Sequence, residues 1–146
     1  MKEDDALTLT IDEKLETAAV NQLHESLSNF NRKHAGHDQH KRLFVTMRNR
    51  CGKIIAGLMG GTYYGYLYVD ILWVDEDQRR KGYGQRLLFA AEQEALQRGC
   101  RYAHLDTHGF QALSFYEKRG YEIVGELKDL PPGDSRYLLK KELCLE

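Results

Sequence analysis

A cluster of positive charge lies beside two glycines near the middle of the chain. The segment 79–86 reads RRKGYGQR, so three consecutive cations precede Gly82 and Gly84. Adjacent like charges repel one another and glycine is a poor helix former, so an ordinary helix start does not explain the segment. Glycine lets a ligand approach the backbone closely, and the first N–H groups of a helix have no partner within it. The pattern therefore predicts a turn that binds a phosphate or pyrophosphate.

Three phosphate-binding patterns compete for this segment. A P-loop requires Gly-x-x-x-x-Gly-Lys-Ser/Thr, and the chain has no Lys–Ser/Thr pair here. A dinucleotide-binding fingerprint requires a third glycine where this chain has Leu87, and it belongs to a first βαβ unit rather than to the middle of a chain. The third pattern, Gln/Arg-x-x-Gly-x-Gly/Ala, is matched by Arg79, Gly82 and Gly84.

The third pattern resembles the acyl-CoA-binding motif of the GNAT superfamily of N-acyltransferases. A second segment strengthens the resemblance, because residues 112–121, ALSFYEKRGY, are similar to the family's Ala-x-x-Phe-Tyr-x-x-x-Gly-Phe/Tyr helix–strand segment downstream of the glycine turn. The resemblance covers about residues 40–143. It implies a single α/β domain over 1–146, a GNAT-like fold with a mixed, partly parallel, twisted sheet of about seven strands flanked by about four helices.

The resemblance also implies acetyl-CoA (coenzyme A) as co-substrate, bound without a metal. The turn from Arg79 to Gln85 would hold its pyrophosphate, while main-chain groups at the end of the preceding strand would bind the pantetheine arm and polarise the thioester carbonyl. The position of a family asparagine that bonds pantetheine is Gly109 here, and Gln111 or a main-chain group would replace its contact. The implied cofactor-binding set is Leu72, Trp73, Val74, Arg79, Arg80, Lys81, Gly82, Tyr83, Gly84, Gln85, Gln111, Phe115 and Tyr116.

Two side chains are candidates for the proton transfers that acyl transfer to an amine requires. The resemblance would place Tyr116 near the CoA sulfur as a general acid, since a phenol with a pKa of ~10 stays protonated at neutral pH. The alternative is an ordinary packed aromatic beside Phe115. Asp70 lies in an apolar, aromatic strand, where desolvation would suit a base that works near neutral pH. The alternatives for Asp70 are an ion pair with an arginine or a solvent-facing position.

Hydrophobic periodicity predicts the elements that position these residues. Strands are predicted at 7–11, 43–48, 53–60, 62–74, 101–107, 120–127 and 136–143, and helices at 13–29, 82–98 and 110–119. A period of two would place Tyr66, Tyr68, Asp70, Leu72 and Val74 on one face of the fourth strand. A hairpin turn is expected at Gly60–Gly61, a helix end at Gly99, and a loop or a broken short helix over 30–42. The resemblance implies that the segment Asn29–His40 contributes to the acceptor pocket.

Composition argues against several other classes of protein. The 146 residues suit one domain, and a net charge of −1 is unlike the clearly basic balance of a general nucleic-acid binder. Three widely spaced cysteines without a CxxC pair do not indicate a disulfide framework or a thiolate zinc site. The acidic start and the short apolar runs predict neither a signal peptide nor a membrane span. We therefore expect a cytoplasmic protein with no nucleic-acid and no membrane partner.

The predicted function is N-acetylation. An acetyl group would pass from acetyl-CoA to a primary amine by direct attack in a ternary complex. The acceptor is expected to be a small molecule, because the chain has no appended recognition domain. A non-catalytic CoA-binding regulatory domain and a protein N-acetyltransferase are the alternatives. Dimers are common in the family, so a homodimer is compatible with the resemblance.

Overall fold

The computed structural model describes residues 6–144. The chain divides into two compact units, and the boundary along the sequence lies between Asp38 and Gln39. The first unit contains helix α1, Thr17–Ala35. This helix starts and ends later than the predicted range of 13–29, so residues 30–35 continue it instead of forming a loop or a separate short helix. Arg32 and Lys33 lie in its last turn, where positive charge interacts favourably with the negative end of the helix dipole.

The strand predicted at 7–11 is not formed. Its alternating Leu7, Leu9 and Ile11 match the side-chain period of a strand. A strand also needs a neighbour for its main-chain hydrogen bonds, and none of the described strands pairs with this segment. The alternation alone was therefore an insufficient signal.

The second unit is built on one six-stranded sheet, ordered β1-β2-β3-β4-β6-β5. A 3₁₀ turn, Glu76–Gln78, and helix α2, Tyr83–Gln97, connect β3 to β4, and helix α3, Leu113–Glu117, connects β4 to β5. Among the described strand pairs only β3–β4 is parallel. The mixed α/β sheet is confirmed, but residues 6–144 contain six strands and three α-helices in place of about seven and four. The strands are β1 Lys41–Arg48, β2 Ile54–Tyr63, β3 Tyr66–Val74, β4 Tyr102–His108, β5 Glu122–Lys128 and β6 Ser135–Glu142.

Helix α2 supplies one side of the core of this unit. Leu87, Ala91 and Ala95 recur at helical spacing and are fully buried. They belong to one apolar cluster with Leu58 of β2 and Leu67 of β3, so the helix packs on the β1–β3 part of the sheet. This packing fixes the start of α2, and hence the glycine turn, against the end of β3.

The hairpin between β2 and β3 turns at Tyr64–Gly65, where φ is 47° and 78°, and not at Gly60–Gly61 as predicted. Gly60 and Gly61 lie inside β2 because Tyr68 of the neighbouring strand passes very close to them. A Cβ at Gly60 would overlap the Tyr68 carbonyl oxygen, and one at Gly61 would lie 2.7 Å from the Tyr68 hydroxyl. Close approach of a backbone and a side chain explains the two glycines better than a turn does.

Strands β3 and β4 separate after a short paired stretch. They pair from Tyr66–Tyr102 to Val69–Leu105. The register of β2 with β3 shifts so that Asp70 is the extra residue, a β-bulge. A bulge bends its strand and increases the local twist. Both strands continue beyond their last described pair, so they form an open fork at this end of the sheet.

The bulge also changes which residues of β3 face the core. Val69 is buried before the bulge, whereas Leu72 and Val74 pack against the same core after it. The even-numbered residues from Tyr66 to Val74 therefore do not share one face, and that prediction is wrong. One inserted residue moves every later side chain to the opposite face.

Residues 6–144 contain neither a helix suited to span a membrane nor a cluster of metal-binding side chains. None of the helices there combines the length and the apolar character that crossing a bilayer requires. No group of three His, Cys, Asp or Glu side chains in this part of the chain is arranged to hold a metal ion.

Candidate active site

The glycine turn leads directly into helix α2. Gly82 is the N-cap, with φ 79° and ψ 13°, and its carbonyl accepts the first hydrogen bond of the helix from Arg86 N–H at 3.1 Å. The N–H groups of Tyr83, Gly84 and Gln85 precede this first helical donor, so they have no acceptor within the helix. Gly82 is exposed, so an anion can reach this end of the helix.

The three cations of the turn are exposed, and two of them also shape it. Arg79 Nε donates to the carbonyl of Val74 at 3.1 Å, which ties the turn to the end of β3. Lys81 Nζ donates to Gln78 Oε1 at 3.0 Å. Arg80 has a φ of 64°, a left-handed conformation that is uncommon for a residue with a side chain.

A cavity of about 650 Å³, here called the donor cavity, opens beside the start of α2. Glu92 is the one carboxylate among the described residues that border it, and it accepts two hydrogen bonds of 2.8 Å from Lys141 Nζ. Because this pair neutralises itself, the remaining cations leave the cavity positively charged. The cationic side chains that border it are Lys81, Arg86, Lys118, Arg119 and Lys141.

Phe115 of α3 packs against the glycine turn. A Cβ at Gly84 would lie 3.4 Å from the Phe115 ring and 3.8 Å from the Val74 side chain. The Arg119 guanidinium lies 3.8 Å from the centroid of the same ring and donates to the Phe115 carbonyl at 2.8 Å. A further bond of 3.2 Å joins Arg119 to Gln85 Oε1, so α3 is fastened to the start of α2.

Tyr116 is the more deeply buried of the two adjacent aromatics on α3, at 6% exposure. Its ring contacts Phe115 and Tyr121 edge-on, with centroids 5.1 and 5.7 Å away. Burial raises the pKa of Tyr116 to about 12, so its hydroxyl is protonated at neutral pH. Tyr116 is thus a packed aromatic residue whose hydroxyl carries a proton at neutral pH. Its role as a catalytic acid stays a prediction.

The exposed edge of β3 presents main-chain groups to the fork. Asp75 N–H donates to the Ile55 carbonyl of β2 at 2.8 Å. Since hydrogen-bonded pairs alternate along an antiparallel ladder, Trp73 also bonds to β2, whereas the main-chain groups of Leu72 and Val74 turn away from β2. The Val74 carbonyl accepts from Arg79 Nε, which leaves the Val74 N–H and both groups of Leu72 toward the fork. The predicted pantetheine contacts of Leu72 and Val74 fit this geometry. A main-chain contact from Trp73 does not fit it.

The side chain of Gln111 folds back and bonds to the last residues of β4. Its Oε1 accepts from the His108 N–H at 2.9 Å and lies 3.3 Å from the Thr107 hydroxyl. The neighbouring Gly109 has no room for a side chain, because a Cβ there would overlap the carboxylate of Asp134. The amide oxygen of Gln111 is therefore used within the fold, and its predicted contact with pantetheine stays a prediction.

A second cavity, of about 380 Å³ and here called the acceptor cavity, opens at the fork. It lies where the β3–β4 pairing ends, next to the bulge. No lysine or arginine is among the described residues that border it. Its polar and aromatic walls are Asp70, Asp106, His40, Tyr63, Tyr68 and His104.

Two hydrogen bonds join the rings of this cavity in pairs. The Tyr68 hydroxyl lies 2.8 Å from His40 Nε2, and the Tyr63 hydroxyl lies 3.3 Å from His104 Nε2. The two tyrosine rings meet edge-on, with centroids 5.5 Å apart. Burial lowers the pKa of His104, and the negative charge of Asp106 opposes that shift only in part. His104 belongs to no motif in the sequence, and only the pairing of β3 with β4 brings it beside Tyr68.

Asp70, the candidate base, is exposed. Its position on the bulge places it at the mouth of the acceptor cavity, but without the enclosure by apolar side chains that the sequence suggested. The desolvation on which its predicted role rested is therefore absent. Its role as base stays a prediction.

Comparison with known proteins decides the family. The model of the acetyltransferase (GNAT) family matches residues 8–121. The chain belongs to the GNAT family. It is 41% identical over 93 residues to blasticidin-S acetyltransferase of Streptomyces morookaense, covering 63% of this chain and 68% of that protein. It is 33% identical over 135 residues to an acetyltransferase of Agrobacterium fabrum, covering 92% and 98%.

The solved structures agree with this assignment. The crystal structure of an acetyltransferase from Bacillus cereus superposes with a TM-score of 0.80 at 32% identity, over 92% of this chain and 98% of that one. The GNAT resemblance and the acetyltransferase activity are thereby confirmed. GNAT acetyltransferases use acetyl-CoA as the acetyl donor.

Proposed function

We propose that this GNAT acetyltransferase moves an acetyl group from acetyl-CoA to the amine of a small molecule, by direct attack in a ternary complex. The observation that carries the proposal is the pair of cavities on the second unit. One is cationic and lies beside the start of α2, and the other is aromatic and acidic and lies at the fork. The free edge of β3 runs from Val74, at the end of the strand, back to Asp70, about 13 Å along the strand. The pantetheine arm would lie along this edge.

The donor cavity suits the phosphates of coenzyme A. The N–H groups of Tyr83, Gly84 and Gln85 would bind the pyrophosphate, which the positive end of the helix dipole also favours. Lys118 and Arg119, which also border the cavity, would then meet the 3′-phosphate. Arginine suits phosphate because its guanidinium can donate two parallel hydrogen bonds.

The chemistry would take place at the fork. The Val74 N–H would polarise the thioester carbonyl, and the neutral amine would attack the carbonyl carbon. As the new C–N bond forms and the C–S bond breaks, Tyr116 would protonate the departing thiolate. Asp70 would draw the acceptor ammonium to the mouth of the cavity, a role that suits an exposed carboxylate. Holding both substrates in reacting geometry can itself lower the barrier by several kcal/mol, roughly 7–11 at most.

The size of the acceptor cavity and the relatives support a small acceptor. A volume of about 380 Å³ falls within the range of roughly 300–1,000 Å³ that is usual for small-molecule sites. One relative at 41% identity is a blasticidin-S acetyltransferase, which makes blasticidin S the first acceptor to test. Protein N-termini are the second candidate class.

The test measures acceptor-dependent release of coenzyme A. The protein would be incubated with acetyl-CoA and, in separate reactions, blasticidin S, a panel of small primary amines, and peptides with free N-termini. We expect thiol release and an acetylated product, identified by mass spectrometry, for at least one small amine and for no peptide. Acetylation of the peptides alone would overturn the assignment to small molecules. Thiol release that no acceptor accelerates would overturn the proposed function as a whole.

A further inference from the structure

The ring of His104 lies in the acceptor cavity at the point where the sheet opens. His104 pairs with Tyr68, one residue before the last described β3–β4 pair. Its neighbours on β4, Ala103 and Leu105, are buried in the core on the other face of the sheet. Since side chains alternate along a strand, the imidazole faces away from that core and into the cavity. It therefore borders the same space as Asp70, but from a half-buried position.

A hydrogen bond to Tyr63 orients this imidazole. The Tyr63 hydroxyl and His104 Nε2 are 3.3 Å apart, and their rings meet edge-on at 6.1 Å. When the hydroxyl donates, Nε2 is the accepting nitrogen and Nδ1 carries the hydrogen. Tyr63 borders the cavity as well, so its oxygen can take a proton from a bound ammonium while its own proton moves to Nε2.

The surroundings of His104 keep the imidazole in its basic form at neutral pH. Burial lowers the pKa of His104 below its ordinary 6.5, and Asp106 raises it by less. This lowered pKa favours the neutral imidazole at pH 7. The titratable and charged groups around it on the neighbouring strands are Tyr63 on β2, Tyr66, Tyr68 and Asp70 on β3, Asp106 on β4, and Arg136 and Lys140 on β6. Arg136 is ion-paired with Asp106, and His40 is bonded to Tyr68.

We propose that His104, assisted by Tyr63, is the catalytic residue that accepts the proton of the acceptor ammonium. The assignment rests on the proposed function, because it requires the amine to bind in the acceptor cavity. Asp70 keeps the electrostatic role and attracts the ammonium from solvent. The division follows the burial of the two groups, since the enclosed imidazole is neutral and oriented while the carboxylate is exposed.

The protons and bonds balance as follows. The ammonium gives one proton through the Tyr63 hydroxyl to His104 Nε2, and the freed lone pair forms the C–N bond to the thioester carbonyl. The C–S bond breaks, and the sulfur takes a proton from Tyr116. The nitrogen loses its second proton, which restores the Tyr116 hydroxyl. His104 finally releases its proton to solvent, so each turnover yields the amide, free coenzyme A and one proton.

Kinetics of four variants test this assignment on blasticidin S, or on the panel amine that the wild type acetylates. We expect His104→Gln to lower kcat by ~10²–10⁴-fold with an unchanged KM for acetyl-CoA. The wild-type rate should fall as pH drops through a pKa below 6.5, and His104→Gln should lack that acidic limb. Tyr63→Phe should lower kcat less, and Asp70→Asn should chiefly raise KM for the amine. His108→Gln is the control, because this ring bonds to the Leu130 carbonyl outside the cavity.

An acidic limb that persists in His104→Gln, or that disappears in Asp70→Asn instead, would overturn the assignment. A second measurement does not depend on turnover: NMR titration of the histidine ring carbons, with His104 assigned by its absence in His104→Gln. We expect a pKa below 6.5, Nδ1–H as the neutral tautomer, and a changed titration in Tyr63→Phe. A His104 that is an imidazolium at pH 7 would overturn the proposal even if no amine were acetylated. Absence of turnover with every acceptor would overturn only the proposed function.

Discussion

The donor and acceptor cavities bind by different means. The donor cavity combines backbone N–H groups at the start of α2 with a border of lysines and arginines. The acceptor cavity is walled by tyrosine and histidine rings and two carboxylates carried on different strands. Main chain and positive charge suit a phosphate-rich co-substrate, whereas ring and carboxylate side chains suit one particular cationic acceptor. Substitutions should therefore separate into two groups, according to which Michaelis constant they change, with a third group that changes turnover alone.

The largest effect is expected for Tyr116→Phe, which belongs to the third group. Losing a general acid typically costs ~10²–10⁴-fold in turnover, and neither Michaelis constant should change much, because one hydroxyl is removed from a packed ring. The pKa of about 12 means that the hydroxyl remains protonated to well above pH 10. Wild-type turnover, followed by thiol release, should then show no alkaline loss from this group up to pH 10.

Tyr121→Phe is the matched control for that variant. The Tyr121 hydroxyl is buried and has no hydrogen-bond partner within the described part of the chain. Removing it should leave turnover unchanged and should not lower the free energy of unfolding. Equal turnover for Tyr116→Phe and wild type would exclude Tyr116 as the acid.

Gly61→Ala should affect the acceptor alone. The new Cβ would lie 2.7 Å from the Tyr68 hydroxyl and 2.9 Å from its ring, so Tyr68 must move from its place in the acceptor cavity. We expect KM for the amine to rise about tenfold, or ~1.4 kcal/mol, while KM for acetyl-CoA stays within twofold. Initial rates at varied concentrations of each substrate measure both constants. A parallel rise in the two constants would mean that the variant perturbs the sheet as a whole.

Gly84→Ala is the reciprocal change on the donor side. Its Cβ would meet the Phe115 ring at 3.4 Å and would stand where the backbone is expected to approach the pyrophosphate. Alanine is also the better helix former, so the fold should not suffer. We expect KM for acetyl-CoA to rise about threefold to tenfold, ~0.7–1.4 kcal/mol, with KM for the amine unchanged. An unchanged KM for acetyl-CoA would place the phosphates elsewhere.

The smallest effect is expected for Lys118→Ala, which removes one exposed cation from the border of the donor cavity. An exposed ion pair contributes ~0.2–1 kcal/mol, so coenzyme A should bind about twofold to fivefold more weakly. Dephospho-coenzyme A, which lacks the 3′-phosphate, should be unaffected, and the loss should shrink at high salt. Arg50→Ala, in the β1–β2 turn, is the control for general charge effects. Calorimetric titration with both ligands distinguishes these outcomes.

The two cavities also differ in how far the sequence reveals them. The glycine turn and α3 are contiguous segments, so the motif residues Arg79, Gly82 and Gly84 could be found by spacing alone, and the family they indicate is confirmed. The walls of the acceptor cavity come from strands that are distant in the chain. His104 becomes visible as a candidate only when β4 is placed beside β3.

The bulge explains the other differences between the predicted and the observed β3. A period of two assumes an uninterrupted strand, and one extra residue at Asp70 reverses the faces beyond it. The composition around Asp70 does not reveal the bulge, because the bulge arises from the register of β2 against β3. The close approach of Tyr68 to Gly60 and Gly61 is also a tertiary contact, which is why these glycines looked like a turn.

The most direct test of the two-cavity account is a crystal structure of the protein with acetyl-CoA. We expect the pyrophosphate on the N–H groups of Tyr83 to Gln85 and the thioester carbonyl on the Val74 N–H. The acetyl methyl group should then point into the acceptor cavity, toward Tyr68 and His104. A co-substrate bound away from the glycine turn, or a thioester that faces away from that cavity, would contradict the account.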